Sequence, residues 1–174
     1  MIETAHTILR KFQKSDLEDL FEYSSQEGVG EMAGWRHLKT LEEATEVLKE
    51  YQGNNHVFAI ELKKEKKVIG YLAVNEDSEE HRADTRELGF ALNREYQQRG
   101  IMTEVVKSML DYLLEQEIAR IYACCFQYNI PSRKLIEACG FRFEQEGSFY
   151  STSMDGTFSS YEYIFTKDMW QTNR

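Results

Sequence analysis

The sequence predicts an α+β fold, that is, a mixed α/β chain with a central, mostly antiparallel mixed sheet of six to seven strands and about four flanking helices. In the second half, the apolar pattern follows the order two strands, helix, strand, helix, two strands. Pro131 is the only proline among 174 residues, and no Gly/Ser-rich linker interrupts the chain. Because 41% of the residues are apolar and 13% are aromatic, we expect residues 1–174 to form a single domain with a sizeable core.

Short runs rich in β-branched and aromatic residues predict the strands. They cover residues 7–10, 56–62, 68–74, 87–92, 121–126, 141–151 and 158–165. The charged run at 63–67 is typical of a hairpin turn, and the Asp-Gly pair at 155–156 marks a second one. Residues 28–35, which include three glycines and Trp35, are predicted to form an irregular loop.

Capping signatures and helical periodicity predict the helices. Ser15 followed by Glu18 predicts a helix that starts near Asp16, and Thr40 followed by Glu43 predicts a second helix. A third helical pattern runs from residue 100 to about residue 116. The fourth contains the proline in its first turn and ends at the glycine at position 140.

Charge and composition disfavour several classes of protein. The formal charge of -9 would repel phosphate backbones, so we expect no direct contact with nucleic acid. No apolar run approaches the roughly 20 residues that a bilayer span requires, and the first residues do not resemble a secretion signal. We therefore expect a cytoplasmic protein without a membrane partner. The three cysteines and four scattered histidines match neither a disulfide framework nor the spacing of a metal site, and we expect no metal.

The segment at residues 92–104 is the candidate functional site, because a predicted strand passes there directly into a long helix. The turn contains Gln97, Gln98, Arg99 and Gly100. A helix start exposes unpaired N–H groups and a partial positive charge, so this turn is suited to a phosphate, and Gly100 lets the backbone approach it closely. The turn is neither a Walker loop nor a dinucleotide fingerprint, because it lacks the Gly-Lys-Ser/Thr ending and the three spaced glycines.

A second motif follows at a suitable distance, where Asn129 precedes a helix that ends in Gly140 and Phe141. With Gln97 and Gly100, these residues resemble the pattern of the GCN5-related N-acetyltransferase (GNAT) superfamily. Residues 87–92, 100–104 and 129–132 further resemble its Rim-type branch, which acetylates the N-termini of ribosomal proteins. The chain departs from that branch with Met102 in place of a small residue, Gln98 in place of a common glycine, and Ser160 in place of the usual Asp.

The resemblance implies an acetyl-CoA-dependent acyltransferase and assigns roles to individual residues. Glu87 is the candidate general base, and Ser132 is the candidate proton donor to the departing thiolate; a surface carboxylate and a helix cap are the competing interpretations. Backbone N–H groups at Ala91 and Leu92 are expected to polarise the thioester carbonyl. The complete set implied for acetyl-CoA is Ala91, Leu92, Gln97, Gln98, Arg99, Gly100, Ile101, Met102, Thr103, Asn129 and Arg133.

The acceptor is expected to be an amine contacted by Trp35, Glu87 and Tyr150. A protein or peptide N-terminus is favoured, because an α-amine with a pKa near 8 is neutral far more often at pH 7 than a lysine amine with a pKa near 10.4. A small amine such as a polyamine or aminoglycoside remains an alternative, as does a CoA-binding module without catalysis. An exposed strand of the C-terminal hairpin could pair between two subunits, which leaves a homodimer open.

Overall fold

In the computed structural model, which describes residues 1–77 and 80–172, eight strands join into one mixed sheet. The strands are β1 (Ile2–Glu3), β2 (Thr7–Arg10), β3 (Val57–Leu62), β4 (Lys67–Glu76), β5 (Thr85–Leu92), β6 (Arg120–Phe126), β7 (Arg142–Ser151) and β8 (Gly156–Thr166). Their spatial order is β1-β2-β3-β4-β5-β6-β8-β7, and only the β5–β6 pair among these described strands is parallel. The predicted fold class is confirmed. The additional strand, β1, has two residues and is too short for alternation to reveal.

The same described ranges contain six α-helices rather than about four. They are α1 (Leu17–Ser24), α2 (Val29–Ala33), α3 (Leu41–Gly53), α4 (Ile101–Glu115), α5 (Ile130–Ala138) and α6 (Lys167–Thr172). The loop predicted for residues 28–35 was wrong, because α2 forms there between Gly28 and Gly34, both in the left-handed region at φ 94°. Neither α2 nor α6 is long enough to show a helical period.

The two predicted capping boxes had different outcomes. The Thr40 box is confirmed: its Oγ1 accepts from Glu43 N–H at 3.2 Å, and the Glu43 carboxylate accepts from Thr40 N–H at 3.2 Å. The Ser15 box was wrong. The Asp16 carboxylate instead accepts from Gln13 N–H at 2.7 Å, and a 3-10 turn precedes α1. The helix nevertheless begins next to Asp16, as predicted.

Each face of the sheet carries its own hydrophobic cluster. Helix α4 packs on one face, where Val105 and Met109 contact strand residues that include Leu88 of β5. Helices α1 and α3 cover part of the other face, where Leu20 and Ala91 are buried together. Side chains of β5 therefore alternate between the two clusters. No helix of the described residues is long and apolar enough to cross a membrane.

Strands β5 and β6 separate at their carboxyl ends. Their register runs from Thr85 opposite Arg120 to Leu88 opposite Ala123. Beyond that pair, β5 continues to Leu92 and β6 to Phe126. A wedge therefore opens between the two strands within the sheet, and the backbone edge of β5 that faces this wedge is available to a ligand. We call this feature the β5–β6 wedge.

Candidate active site

A cavity of about 690 Å³ opens at the β5–β6 wedge. Its walls are the end of β5, the turn before α4, the first turns of α4 and α5, and helix α2. Concave sites of this size are typical of small-molecule and cofactor pockets. The structure brings the following residues from the predicted set into this wall: Ala91, Leu92, Gln97, Gln98, Gly100, Ile101, Met102, Thr103, Asn129 and Ser132.

The turn before α4 has the geometry of an anion site. The first hydrogen bond of the helix runs from Glu104 N–H to the Gly100 carbonyl at 3.0 Å, so the N–H groups of residues 101–103 precede the helical ladder. Gly100 lies at φ 77°, which favours glycine, although a Cβ there would meet nothing within 4 Å. The Gln97 side chain donates from Nε2 to the Leu92 carbonyl at 2.8 Å. This bond fixes the turn against β5, with the helix start facing the cavity.

Asn93 also holds that turn in place, a role that an Asn at the end of a strand does not reveal by itself. The side chain is fully buried. Its Nδ2 donates to Glu22 Oε1 at 2.9 Å, and its Oδ1 accepts from Gln26 Nε2 at 3.1 Å and from Glu95 N–H at 3.0 Å. Because both polar atoms are satisfied, Asn93 anchors the start of the turn to helix α1.

Asn129 joins two walls of the cavity. Its Oδ1 accepts from Ser132 N–H at 3.2 Å and caps helix α5. Its Nδ2 donates to the Met32 carbonyl of α2 at 3.2 Å. The cap is therefore Asn129 rather than Ser132, and the half-buried Ser132 belongs to the cavity wall.

Two arginines of the predicted acetyl-CoA set lie outside the cavity wall. Arg133 pairs with Glu137 on its own helix at 3.1 Å, and the Arg99 guanidinium stacks 5.3 Å from the centre of the Tyr96 ring. The cavity instead receives basic side chains from Lys134 and Arg94.

Glu87 lies on the same face of the sheet as α1 and α3, in the part that these helices leave uncovered, at the closed end of the wedge. The Cys124 thiol donates to Glu87 Oε1 at 3.6 Å, and Cys124 stands opposite Glu162 of β8. Residues opposite each other in antiparallel strands share a face, so Glu87, Cys124 and Glu162 form one row, which we call the acidic row. Loss of solvent around the sulfur, followed by repulsion from Glu87, raises the pKa of Cys124 to about 12. The thiol is thus a protonated donor at neutral pH and not a nucleophile.

Glu162 is held in a defined position. Its Oε2 accepts from Gln145 Nε2 at 2.6 Å. Its carboxylate also lies directly over Gly147, where an added Cβ would overlap Oε1 and stand 2.9 Å from Cδ. The acidic row therefore presents two carboxylates, one at each end.

Aromatic side chains continue the same face beyond the acidic row. The Phe126 ring centre lies 5.4 Å from that of Tyr128, 6.0 Å from Phe149 and 5.3 Å from Phe158. We call these four residues the aromatic cluster. Phe126 is buried, whereas Tyr128 is 52% exposed and Phe149 is 42% exposed. The sequence analysis did not identify this cluster.

The two aromatic residues predicted to contact the acceptor lie outside the cavity wall. Trp35 donates from its indole Nε1 to the Tyr71 hydroxyl at 3.0 Å, and its ring packs directly on Gly30. Trp35 thus braces α2 against the sheet. Tyr150 is 58% exposed and donates to Asp155 Oδ1 at 3.2 Å, close to the hairpin turn. Their contact with an acceptor stays a prediction.

Helix α2 is fixed at both ends. The Glu31 carboxylate accepts from Gly28 N–H at 2.8 Å and from His37 N–H at 3.0 Å, and it lies 2.6 Å from His37 Nδ1. Burial opposes its ionisation, but these hydrogen bonds, with those from His37 foremost, lower the pKa of Glu31 to about 2. At the other end, Ser151 Oγ donates to the Gly34 carbonyl at 2.7 Å. Helix α2 therefore stands between α5 and the C-terminal hairpin.

The sequence of the chain matches a known protein family. A family model described as the acetyltransferase (GNAT) domain matches residues 6–142. The chain belongs to the GNAT family. A relative of known sequence, the uncharacterized N-acetyltransferase YnaD of Bacillus subtilis, is 28% identical over 173 residues, which cover 97% of this chain and 98% of YnaD. The protein is accordingly an N-acetyltransferase of the GNAT family.

Solved GNAT structures share the fold. The microcin C7 self-immunity acetyltransferase MccE, solved with acetyl-CoA and AMP, aligns at a TM-score of 0.78 with 15% identity and covers 93% of both chains. The ribosomal-protein-S5-alanine acetyltransferase of Vibrio fischeri aligns at 0.71 with 22% identity and covers 97% of both chains. At these identities the likeness establishes the fold alone. Two GNAT proteins with differently named roles therefore share this architecture.

Proposed function

We propose that this GNAT protein transfers the acetyl group of acetyl-CoA to the α-amine at the N-terminus of a protein or peptide, as the Rim-type branch does. One observation carries the proposal. The β5–β6 wedge connects the anion-binding turn before α4 with the face on which Glu87 lies. The turn would hold the diphosphate of acetyl-CoA. The thioester end would then pass through the gap between β5 and β6 and reach an amine beside the Glu87 carboxylate.

The residues of the cavity fit acetyl-CoA, which supplies an acetyl group activated as a thioester. The N–H groups of residues 101–103 offer donors to the diphosphate, and the left-handed Gly100 leaves open space in front of them. Lys134 and Arg94 add positive charge to the same wall. The fold neighbour MccE, whose structure contains acetyl-CoA, supports this ligand.

Formation of the amide from an ammonium requires two protons to leave the nitrogen and one proton to reach the sulfur. Glu87 accepts the proton of the acceptor ammonium, directly or through one water, so that the neutral amine forms the new N–C bond. A backbone N–H group at the end of β5, from Ala91 or Leu92, stabilises the charge that develops on the carbonyl oxygen. Ser132 donates a proton to the sulfur as the C–S bond breaks. The second proton of the nitrogen leaves to solvent, from which Ser132 regains its own. Positioning supplies much of the rate, because effective molarities of oriented pairs reach about 10⁵–10⁸ M.

An assay of thiol release tests the proposal. The protein is mixed with acetyl-CoA and, in separate reactions, with peptides bearing free N-termini and with small amines such as polyamines and aminoglycosides. Release with the peptides supports an N-terminal acceptor. Release with small amines alone would assign the enzyme to a small-molecule acceptor, and binding of acetyl-CoA without release would indicate a CoA-binding module.

A further inference from the structure

The aromatic cluster and the acidic row lie side by side on one face of the sheet. Phe126 follows Cys124 by two residues along β6, so the two side chains point to the same side about 7 Å apart. Phe126 is buried, and its ring packs against both Tyr128 and Phe149. The residues that follow Tyr128, Asn129 and Ile130, line the cavity. Along the chain, Phe126 and Tyr128 therefore lie between Cys124 of the acidic row and the residues of the cavity wall.

The exposed rings form one patch rather than scattered surface residues. Single exposed apolar side chains are ordinary, but here two large rings pack on the same buried ring. The Phe149 ring also packs closely on Gly34, where an added Cβ would lie 2.9 Å from Phe149 Cε1. Rigid aromatic side chains bind ligands at a low cost in conformational entropy.

We propose that the preferred acceptor is a primary amine that carries an apolar, ring-sized group beside its nitrogen, and that Tyr128 and Phe149 contact this group while Glu87 and Glu162 attract the ammonium. This inference rests on the proposed function and specifies its acceptor. Such a molecule has a positive charge next to an apolar group. The acidic row, next to the aromatic cluster, offers a complementary charge and a complementary apolar surface. The faces of the rings additionally favour a nearby cation.

Strand β7 provides a matched control. Phe143 lies on the same strand as Phe149 and is 49% exposed. Its ring, however, contacts Tyr161 and Tyr163 on the opposite face of the sheet. Removal of the Phe143 ring deletes as much exposed aromatic surface without touching the acceptor face.

The test compares acceptors that differ in the side group alone. Thiol release gives kcat/KM for the dipeptide amides Phe-Gly and Ser-Gly, and for the small amines phenethylamine and ethanolamine. We expect the aromatic member of at least one pair to be favoured about tenfold or more in kcat/KM by the unmodified enzyme. The preference should fall to within about twofold in Tyr128→Ala and Phe149→Ala and persist in Phe143→Ala. If only the dipeptides show the preference, the apolar group of the acceptor is the first side chain of a peptide. If only the small amines show it, the acceptor is a free small amine that carries the apolar group.

Failure of this inference differs from failure of the proposed function. Equal kcat/KM for both members of each pair, or a preference that survives in the Tyr128→Ala, Phe149→Ala double variant, would overturn the inference and leave the transferase intact. Thiol release from none of the four acceptors would overturn both.

Discussion

The Glu162 carboxylate lies directly over the Cα of Gly147 on the neighbouring strand, in space that any larger residue at position 147 would need. The obstructing atoms are the end of a flexible side chain, so a larger residue would displace the carboxylate rather than unfold the strand. The Glu162 carboxylate can occupy this position only because Gly147 has no side chain.

Replacement of that glycine should weaken acceptor binding. In Gly147→Ala, the new methyl group displaces Glu162 from the acidic row, and we expect KM for a cationic acceptor to rise about fivefold with little change in the KM for acetyl-CoA. Steady-state kinetics with each substrate varied in turn provides the measurement. Gly53→Ala is the control, because a Cβ at Gly53 meets nothing within 4 Å. An unchanged acceptor KM in Gly147→Ala would remove Glu162 from the acceptor site.

Removal of the proposed base should produce a pH-dependent defect. In Glu87→Gln we expect kcat to fall about 10²-fold at pH 6 and progressively less toward pH 9, where more of the acceptor is already neutral. The affinity for acetyl-CoA should stay nearly intact. Glu146→Gln is a suitable control, since Glu146 is opposite Tyr161 and faces the other side of the sheet. Equal turnover of Glu87→Gln and the unmodified enzyme from pH 6 to 9 would refute the assignment.

A charge placed at the helix start should weaken acetyl-CoA binding. Asn and Asp both tolerate the left-handed backbone of Gly100, so comparing Gly100→Asp with Gly100→Asn separates charge from strain. We expect the Asp variant to bind acetyl-CoA about tenfold more weakly than the Asn variant, with a smaller difference in high salt. Titration calorimetry at two ionic strengths measures both effects. Equal affinities would place the diphosphate away from this turn.

The hydrogen bonds that hold α2 should make stability depend on pH. The folded-state pKa of Glu31, about 2, lies below the value of about 4.5 that an unperturbed Glu has. Its ionised form therefore stabilises the fold above pH 4.5, and this contribution disappears as the pH falls toward 2. We expect Glu31→Gln to lose about 1 kcal/mol of unfolding free energy at pH 7, because solvent screens the half-buried carboxylate, and to approach the unmodified protein near pH 2. Urea unfolding across this range tests the expectation, and a difference independent of pH would contradict it.

Features encoded by neighbouring residues could be read from the sequence. The Thr40 cap needs only Glu43 three positions later, and the turn at Gly100 needs only a strand followed by a helix. The positions of the main helices and strands follow from the same local patterns. Short elements escaped because five residues, as in α2, do not complete two helical turns.

Features that depend on distant residues could not be read in the same way. Phe126 and Phe149 belong to strands that meet only because β8 pairs with β6 on one side and β7 on the other. Lys134 reaches the cavity in place of the predicted Arg133 because the two side chains differ by about 100° of helix rotation, which the composition of the helix does not reveal. Two partners of the Asn93 side chain, Glu22 in helix α1 and Gln26 just after it, lie some 70 positions earlier in the chain.

The strand order also sets when the sheet is completed during synthesis of the chain. Strand β8 is made after β7 but is inserted between it and β6. A nascent chain that has not yet released β8 from the ribosome therefore exposes β6 as a bare edge, with its cysteines and aromatic residues accessible to other chains. The acidic row is likewise incomplete until that strand is inserted, because Glu162 belongs to β8.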